Sequence, residues 1–276
     1  MKLSVIIVTW NCRQQLRTNL ASLVKSTGLD FEIFVVDNAS ADGTVEMIRQ
    51  EFPSVKLIAN NLNHGFAKAN NQALRLAQGD FILLLNPDML LESQALFDAV
   101  TWLKATPEAS VAGFKLVEPD GSIIKHVRRF PTLIDQLLIV LKFPKFWPSL
   151  LNNYIIPDFD YNQASAVDSI RGSFFLMRRQ LLETVGYLDE RFFLWFEEVD
   201  YCQRVRQVGE QVWYSPAVTV VDGVGQSFKL LKRGQAQKYF RDSMLKYFAK
   251  WRPPYQRIIL QIAWWFVGLA LIFVKK

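Results

Sequence analysis

The sequence predicts an α/β fold with a parallel sheet over its first ~115 residues. Two observations lead to this prediction: short apolar runs rich in β-branched residues recur along the chain, and segments of helical length separate them. Near-continuous apolar runs are typical of strands that are covered on both faces. Alternating strands and helices of this kind form a doubly wound sheet. The length of 276 residues allows one such domain with an appendage.

The first half of the chain contains four predicted strands and three predicted helices. Ser40 and Asp42 are N-cap candidates ahead of the second helix, and Gly79-Asp80 closes the third. Apolar residues recur at helical spacing within each helical segment. The predicted strands are residues 3–8, 31–36, 55–59 and 81–85, and the predicted helices are residues 13–26, 42–51 and 65–78.

The pattern is less regular after residue 115. Residues 118–122 (EPDGS) form a turn signal between two short apolar stretches and predict a hairpin. Residues 133–151 are apolar and aromatic and are broken by Pro144 and Pro148. They predict either a core helix followed by a loop or a segment at a membrane interface. Mixed α/β character returns over residues 167–214.

The C-terminal end is basic and then apolar. Basic residues recur over residues 229–257, and residues 258–274 carry no charge before Lys275-Lys276. A helix over that run is about 25 Å long, against about 30 Å of membrane hydrocarbon. Trp264 and Trp265 lie inside the run. We therefore predict that this run contacts a membrane surface as a partly inserted or re-entrant helix. The alternative is a helix that packs against the protein itself.

The charge distribution supports a membrane partner over nucleic acid. The chain carries 32 basic and 26 acidic residues, a formal charge of +6. Residues 1–200 carry 19 basic and 23 acidic side chains, whereas residues 201–276 carry 13 and 3. The positive excess thus leads into the apolar run, where anionic lipid would attract it. The two cysteines, Cys12 and Cys202, have neither disulfide-framework nor zinc-site spacing, which fits a reducing compartment.

Polar residues follow each of the four predicted strands directly. The carboxyl ends of parallel strands share one edge of the sheet, where ligands bind. Neither a G-x-G-x-x-G after the first strand nor a G-x-x-x-x-G-K-[ST] is present. A bound diphosphate would most simply be neutralised by a divalent cation on Asp88. These polar residues are Thr9 and Asn11, Asp37 and Asn38, the loop 60–66 with His64 and Gly65, and Asn86 with Asp88.

Six motifs, in this order and spacing, resemble the family 2 glycosyltransferases, and in particular the rhamnosyltransferase-like branch that acts on bacterial surface polysaccharides. Each motif alone is a weak signal, but together they are specific, and the resemblance covers residues 3–230. The motifs are SVIIVTWN at 4–11, VVDNASADGT at 35–44, NLNHGFAKANNQAL at 61–74, GDFILLLNPDM at 79–89, GSFFLMRR at 172–179 and VGYLDERFFLWFEEVDYCQRVR at 185–206.

The resemblance implies the GT-A fold over residues 1–228, with a donor half (1–115) and an acceptor half (116–228), and the basic and apolar pattern predicts a membrane-associated tail over residues 229–276. The resemblance implies transfer, with inversion, of a sugar from a nucleotide diphosphate to a lipid-linked or polysaccharide acceptor at the cytoplasmic face of the inner membrane. The family-level favourite is rhamnose from dTDP-rhamnose. The cofactor it implies is Mn²⁺ or Mg²⁺.

The resemblance also assigns roles to residues of this sequence. Glu198, with Glu197 beside it, corresponds to the catalytic base, and Asp88 with Asp222 to the metal ligands. Arg171 and Asp200 are further candidates for diphosphate or acceptor contacts. The residues expected to bind the donor nucleotide are Thr9, Asn11, Asp37, Asn38, His64, Gly65, Asn70 and Asn86.

Inverting transfer needs a base that takes the proton of the acceptor hydroxyl and a positive charge for the departing diphosphate. The aromatic residues of segment 192–196 would partly desolvate Glu198 and so raise its pKa. The alternative is that Glu197 or Asp200 faces the acceptor and Glu198 lies at the N-terminus of a helix over residues 198–207.

Two departures from the family pattern leave other functions open. Glu198 stands where relatives usually carry Asp, and Asp222 stands where relatives commonly carry a metal-binding His. A catalytically weakened sugar-nucleotide-binding scaffold subunit in a polysaccharide assembly complex is therefore an alternative. A nucleotidyltransferase is a weaker one, because the basic glycine-rich loop it needs near the first strand is missing from the sequence.

Overall fold

The structure, a computed structural model, describes residues 2–223 and 233–274, the last six of these by their backbone only. Residues 2–223 contain one nine-stranded mixed sheet. Its strands are β1 (Lys2–Thr9), β2 (Asp30–Asp37), β3 (Lys56–Ala59), β4 (Phe81–Leu85), β5 (Met89–Leu90), β6 (Ala109–Val117), β7 (Ser165–Val167), β8 (Phe174–Arg178) and β9 (Gln211–Asp222).

Helices cover both faces of this sheet and follow it at the C-terminal end. Two 3₁₀ turns, Phe143–Lys145 and Pro148–Leu151, lie between the fifth and sixth helices. The helices are α1 (Arg13–Leu23), α2 (Thr44–Glu51), α3 (Phe66–Leu74), α4 (Ala95–Ala105), α5 (Leu133–Val140), α6 (Asn152–Ile155), α7 (Leu181–Thr184), α8 (Glu197–Gln207), α9 (Arg233–Trp251) and α10 (Pro254–Val274).

The first four long strands run parallel in the order β3-β2-β1-β4. Thr9 pairs with Asp37, and Asp37 pairs with Ala59, so the strand ends meet at one edge. All four strands predicted from apolar runs are confirmed. The three predicted helices are confirmed with shorter bounds, and α2 begins after Gly43, whose φ is 80°.

The direction of the strands changes beyond β4. Strand β8 lies antiparallel between β4 and β6, and β9 pairs parallel with β6. The two-residue strand β5 pairs antiparallel with the end of β9, and β7 pairs with its beginning. Residues far apart in the sequence therefore meet at the same edge as the parallel strand ends.

Alternate residues of the central strands build two buried layers. Val5 and Ile7 of β1 face the layer with α1 and α4, whereas Ile6 faces the layer with α3 and α8. Both faces of the strand are therefore buried, which explains its continuous apolar sequence. The helix residues involved include Leu16, Leu20, Leu96 and Val100 on the first side, and Ala69, Ala73, Tyr201 and Val205 on the second.

The predicted hairpin at 118–122 forms as a tight turn with a short second arm. Glu118 N donates to Ser122 O at 2.8 Å, and Ile124 N donates to Leu116 O at 2.9 Å. One isolated bridge, Val117–Ile123, follows the turn. Residues 133–151 form α5 and the two 3₁₀ turns, with a proline in the first turn of each.

The C-terminal helices α9 and α10 pack against α5 and against segment 192–199. Among the described residues, no helix has both the length and the apolar character needed to cross a membrane. The residues of this third cluster include Val140 of α5, Phe192 and Phe196, Met244, Tyr247 and Phe248 of α9, and Leu260 and Ala263 of α10. The basic residues at 229 and 232 lie outside the described part of the chain.

Candidate active site

The donor rim, which we define as the loops after β1, β2 and β3, contains most of the residues predicted to bind a nucleotide. Asp37 is buried, and its Oδ2 accepts a hydrogen bond from Ser40 N at 2.9 Å. Its Oδ1 has no hydrogen-bond partner among the described residues. Burial raises the pKa of Asp37. A buried carboxylate oxygen without a protein donor fits a ligand hydroxyl or amide at that place.

Asn11 and Asn38 hold the donor rim together. Asn11 adopts a left-handed conformation (φ 49°), and its Oδ1 accepts from Ala41 N at 2.7 Å. The amide of Asn38 donates to Gly65 O at 3.1 Å, and its Oδ1 accepts from Asn60 Nδ2 at 3.2 Å. Thr9, also on the rim, is buried and pairs its Oγ1 with Cys12 Sγ at 3.0 Å. Both asparagine side chains thus bond to the loops themselves.

Gly65 joins the donor rim to the segment that precedes α8. Its φ is 80°, and a Cβ at this position would lie 2.4 Å from the carbonyl oxygen of Phe193. Phe66 N donates to that same oxygen at 2.7 Å. Only glycine allows this approach. His64, its half-buried neighbour, places its backbone N 3.4 Å from Asn38 Oδ1.

The two remaining donor candidates differ in position. Asn70 is buried in α3, and its amide donates to Phe66 O at 2.9 Å within that helix. Asn86 follows β4, and its backbone N donates to Ser173 O at 2.9 Å. The adjacent Asn71 was not predicted, yet it exchanges hydrogen bonds with the backbone of Leu188 at 2.8 and 3.0 Å. Its signal in the sequence is a polar residue on the apolar face of a helix.

Asp88 and Asp222, the predicted metal ligands, are brought together by the pairing of β5 with β9. Met89 pairs with Asp222, and Gly223 N donates to Asp88 O at 3.0 Å. Both residues are buried, with 8% and 0% of their surface exposed. Their carboxylate oxygens are donors of the kind that Mg²⁺ and Mn²⁺ prefer.

Arg171 contributes a positive charge to this carboxylate pair. Its Nη1 lies 3.1 Å from Asp222 Oδ2, and its side chain is 30% exposed. Within residues 2–223 and 233–274, no group of three or more Asp, Glu, His or Cys residues could hold a metal ion. The two carboxylates fit a divalent cation only if substrate phosphates and water complete the coordination, which is how Mg²⁺ is usually held.

Glu197 and Glu198 begin helix α8. Glu197 is 5% exposed, and one carboxylate oxygen of each glutamate has no hydrogen-bond partner among the described residues. Burial raises the pKa of Glu198, and the guanidinium of Arg171 offsets part of that rise. Burial and the adjacent Glu198 charge raise the pKa of Glu197 well above its ordinary value. The direction for Glu198 agrees with the prediction from its aromatic neighbours.

Segment 171–173 lies between Glu198 and the predicted metal ligands Asp88 and Asp222. Arg171 pairs with Asp222, a Cβ at Gly172 would lie 3.5 Å from Glu198 Cβ, and Ser173 O accepts from Asn86 N. The C-terminal ends of β4 and β9 therefore meet the start of β8 and the start of α8 at one place. This arrangement can hold an anion, a cation and a base with a raised pKa together.

Asp200 differs from its predicted role. Its side chain is 0% exposed, and its carboxylate accepts from Arg204 Nε at 3.0 Å, Lys250 Nζ at 3.0 Å and Trp251 Nε1 at 2.8 Å. A diphosphate or acceptor contact does not fit this burial. The signal available in the sequence was the i,i+4 spacing from Asp200 to Arg204, which pairs opposite charges along a helix.

The family model described as "Glycosyl transferase family 2" matches residues 4–186 of the chain. An N-acetylglucosaminyl-diphospho-decaprenol L-rhamnosyltransferase of Mycobacterium tuberculosis is 30% identical over an alignment of 240 residues that covers 79% of this chain and 75% of that protein. The rhamnosyltransferase WbbL of Escherichia coli K12 is 26% identical over 195 residues, covering 68% of this chain and 70% of that protein.

Two solved structures resemble the fold. The mannosyltransferase PcManGT from Pyrobaculum calidifontis, in complex with GDP-Man and Mn²⁺, matches with a TM-score of 0.60 and 20% identity over 99% of this chain and 74% of that one. Staphylococcus aureus TarS 1–349 matches with a TM-score of 0.57 and 18% identity over 90% and 72% of the respective chains. At these identities, the likeness concerns the fold.

Proposed function

The chain belongs to glycosyltransferase family 2 and has the GT-A fold, and from this premise we propose that it transfers a sugar from a nucleotide diphosphate to an acceptor. The proposed acceptor is a polysaccharide or is linked to a membrane lipid, and the proposed transfer inverts the configuration at the anomeric carbon. The observation that carries the proposal is the meeting of Glu198, Arg171 and the Asp88–Asp222 pair at the donor edge of the sheet. Rhamnose from dTDP-rhamnose is the proposed donor, because two relatives are named rhamnosyltransferases.

In the proposed step, the acceptor hydroxyl oxygen bonds to the anomeric carbon as the bond from that carbon to the diphosphate oxygen breaks. Glu198 takes the hydroxyl proton, and the nucleoside diphosphate leaves with the bonding electron pair. A raised pKa makes Glu198 a stronger base than an exposed glutamate. Asp88 and Asp222 would hold Mn²⁺ or Mg²⁺, which when bound neutralises charge on the diphosphate.

The test is a donor and acceptor panel. Purified protein would receive dTDP-, UDP- and GDP-sugars with Mn²⁺ or Mg²⁺ and a polyprenyl-diphosphate-linked N-acetylglucosamine acceptor. We expect transfer of rhamnose from dTDP-rhamnose, with the opposite anomeric configuration in the product. If no donor is turned over and Asp88→Ala leaves donor binding unchanged, the proposal is wrong.

One observation favours a second candidate, a sugar-nucleotide-binding scaffold subunit. The ion pair from Arg171 to Asp222 engages a carboxylate that the sequence predicts to bind a cation. The scaffold candidate expects donor binding without transfer. Transfer that Glu198→Gln removes excludes it.

We also propose that the protein works at the cytoplasmic face of the inner membrane. Helix α10 exposes apolar residues beside Arg257, and the 3₁₀ turns expose aromatic residues beside Lys142 and Lys145. This mixture of aromatic, aliphatic and basic side chains suits an anionic lipid surface. The apolar residues include Phe146 (69% exposed), Trp147 (59%), Ile262 (50%), Trp265 (61%) and Phe266 (57%).

Co-sedimentation with phosphatidylglycerol–phosphatidylethanolamine vesicles tests the membrane proposal. Trp265→Glu should weaken binding roughly tenfold or more, because a buried apolar side chain is worth about 1.5–3 kcal/mol. Leu76→Glu is the control, since Leu76 is 55% exposed but follows α3, away from both patches. Equal binding of the two variants would contradict the proposal.

A further inference from the structure

We propose that Lys250 and Trp251 of α9 are positioning residues for Glu198. Glu198 lies in segment 189–200. Lys250 binds both ends of this segment, and Trp251 binds its C-terminal end. The inference rests on the proposed transfer reaction, in which Glu198 is the base. It gives α9, which lies within the predicted membrane-associated segment 229–276, a role in the transfer reaction as well.

Lys250 bridges the two ends of segment 189–200. Its Nζ lies 2.9 Å from Asp189 Oδ2 and 2.7 Å from Asp200 Oδ1. Asp200 is fully buried, Asp189 is 13% exposed, and Lys250 is 23% exposed. Charged hydrogen bonds in such surroundings are short and geometrically specific. One ammonium group thus closes the loop that carries Glu197 and Glu198.

Trp251 adds a second, neutral contact to the same carboxylate. Its Nε1 donates to Asp200 Oδ1 at 2.8 Å. Asp200 N in turn donates to Phe196 O at 2.8 Å, which is a hydrogen bond of the first turn of α8. A displacement of the Asp200 carboxylate would therefore move the turn that contains Glu197 and Glu198.

The segment between these ends needs outside support. Trp195 and Phe196 both adopt left-handed conformations, with φ of 66° and 70°. L-residues with large side chains rarely adopt this conformation, and they keep it only where surrounding contacts hold it. Helix α9 supplies such contacts: Ser243 Oγ donates to Leu194 O at 2.8 Å, and Tyr239 stacks on Phe193 at 4.4 Å between ring centroids.

The donor rim contacts segment 189–200 where Phe66 N donates to Phe193 O, but the loops of the rim are also bonded to one another, and this separates the expected effects. Asn38 and Asn11 bond to the loops after β1, β2 and β3. A loss of the Lys250 or Trp251 contacts should therefore lower kcat while the donor KM stays nearly constant. A displacement of about 1 Å at a catalytic group costs up to roughly 100-fold in rate.

The experiment measures kcat and the donor KM for the full chain and four variants, with kcat normalised to the number of donor-binding sites. Lys250→Ala should lower kcat roughly 10- to 100-fold, and Trp251→Phe, which removes the N–H and part of the ring but keeps an aromatic side chain, should lower it less. Lys250→Arg keeps the charge and should restore most of the loss. Lys238→Ala, an exposed lysine on the same helix, should behave as the wild-type protein.

The outcomes separate the inference from the reaction on which it depends. If the wild-type protein turns over no donor, the proposed reaction fails. If the wild-type protein is active and both Lys250→Ala and Trp251→Phe match Lys238→Ala in kcat, the inference is wrong. A rise in donor KM at constant kcat would equally overturn it. Should Lys250→Ala fail to fold, Trp251→Phe against Lys238→Ala decides the question.

Discussion

The proposed donor half and the proposed catalytic half of this protein are built in different ways. In residues 2–115, parallel strands alternate with helices, and the loops of the donor rim are held by neighbouring residues such as Asn11 and Asn38. In the proposed catalytic half, Arg171 lowers the pKa of Glu198, and helix α9 packs against segment 192–199, although both lie far from Glu198 in the sequence. Binding and turnover should therefore be separable by mutation.

The largest separation is expected from Glu198→Gln. Loss of the base should lower the transfer rate by about 10²- to 10⁴-fold. Donor binding should persist, because the donor rim is left intact. Turnover measured beside a thermal-shift titration with the nucleotide diphosphate checks both expectations. Glu183→Gln, on the exposed side of α7, serves as the control, and equal turnover of the two variants would remove Glu198 from the mechanism.

Gly65→Ala should break the contact between the two halves. The new Cβ would lie 2.4 Å from Phe193 O, whereas a Cβ at Gly121, which has a similar φ of 85°, meets nothing within 4 Å. Gly121→Ala should thus lower the free energy of unfolding by about 1–2 kcal/mol, because a residue with a Cβ is held in a left-handed backbone conformation. Gly65→Ala should lower it by about 1–3 kcal/mol more, because its Cβ also overpacks the contact. Urea unfolding measures both, and equal losses would show that the halves adjust freely.

Glu197→Gln should change how stability depends on pH. The pKa of Glu197 is raised above its ordinary value of 4.5 in the folded protein, so the folded state keeps a proton that the unfolded state releases. Wild-type stability should therefore fall as the pH rises above 4.5, until the folded-state pKa is passed.

The Glu197→Gln variant should thus gain stability relative to the wild-type protein as the pH rises above 4.5. Urea unfolding at several pH values provides the measurement, with Glu183→Gln again as the surface control. Parallel stability curves for Glu197→Gln and the wild-type protein would contradict the burial of a protonated Glu197.

The smallest effect is expected from the ion pair within the donor half. Arg17 binds Glu51 through two hydrogen bonds of 2.8 and 2.7 Å, and both side chains are about one third exposed. Glu51→Gln should cost no more than about 1 kcal/mol, and less at high salt. A larger loss, unaffected by salt in urea unfolding, would show that the donor half also depends on specific charges.

Sequence patterns predicted the donor half well because its signals are local. Continuous apolar runs such as Val5–Ile7 report burial on both faces, and polar residues at strand ends report the sheet edge. The proximity of Asp88 and Asp222 has no local signal, since β5 is two residues long and pairs with the end of a strand far away in the sequence. Asp222 was reached only through resemblance to a family.

The sequence only partly distinguishes Asp200 from the glutamates beside it. The run Glu197–Glu198–Val199–Asp200 presents three similar acids, and apart from the i,i+4 spacing to Arg204 it is the packing of Lys250 and Trp251 that distinguishes the third. Helix α9 was interpreted from its basic residues, although Met244, Tyr247 and Phe248 form a buried apolar face. The basic residues of α9 thus gave no indication that one face of this helix is buried.

The Asp200–Lys250 contact also has a consequence for the order of events during protein synthesis. The two residues are 50 positions apart in the chain. At roughly 5–20 residues per second, several seconds pass between the synthesis of Asp200 and that of Lys250. Once Asp222 at the end of β9 has been made, the nascent chain contains every described strand of the sheet but not yet the lysine that closes segment 189–200. The donor-binding loops can therefore form before the catalytic turn is held in place.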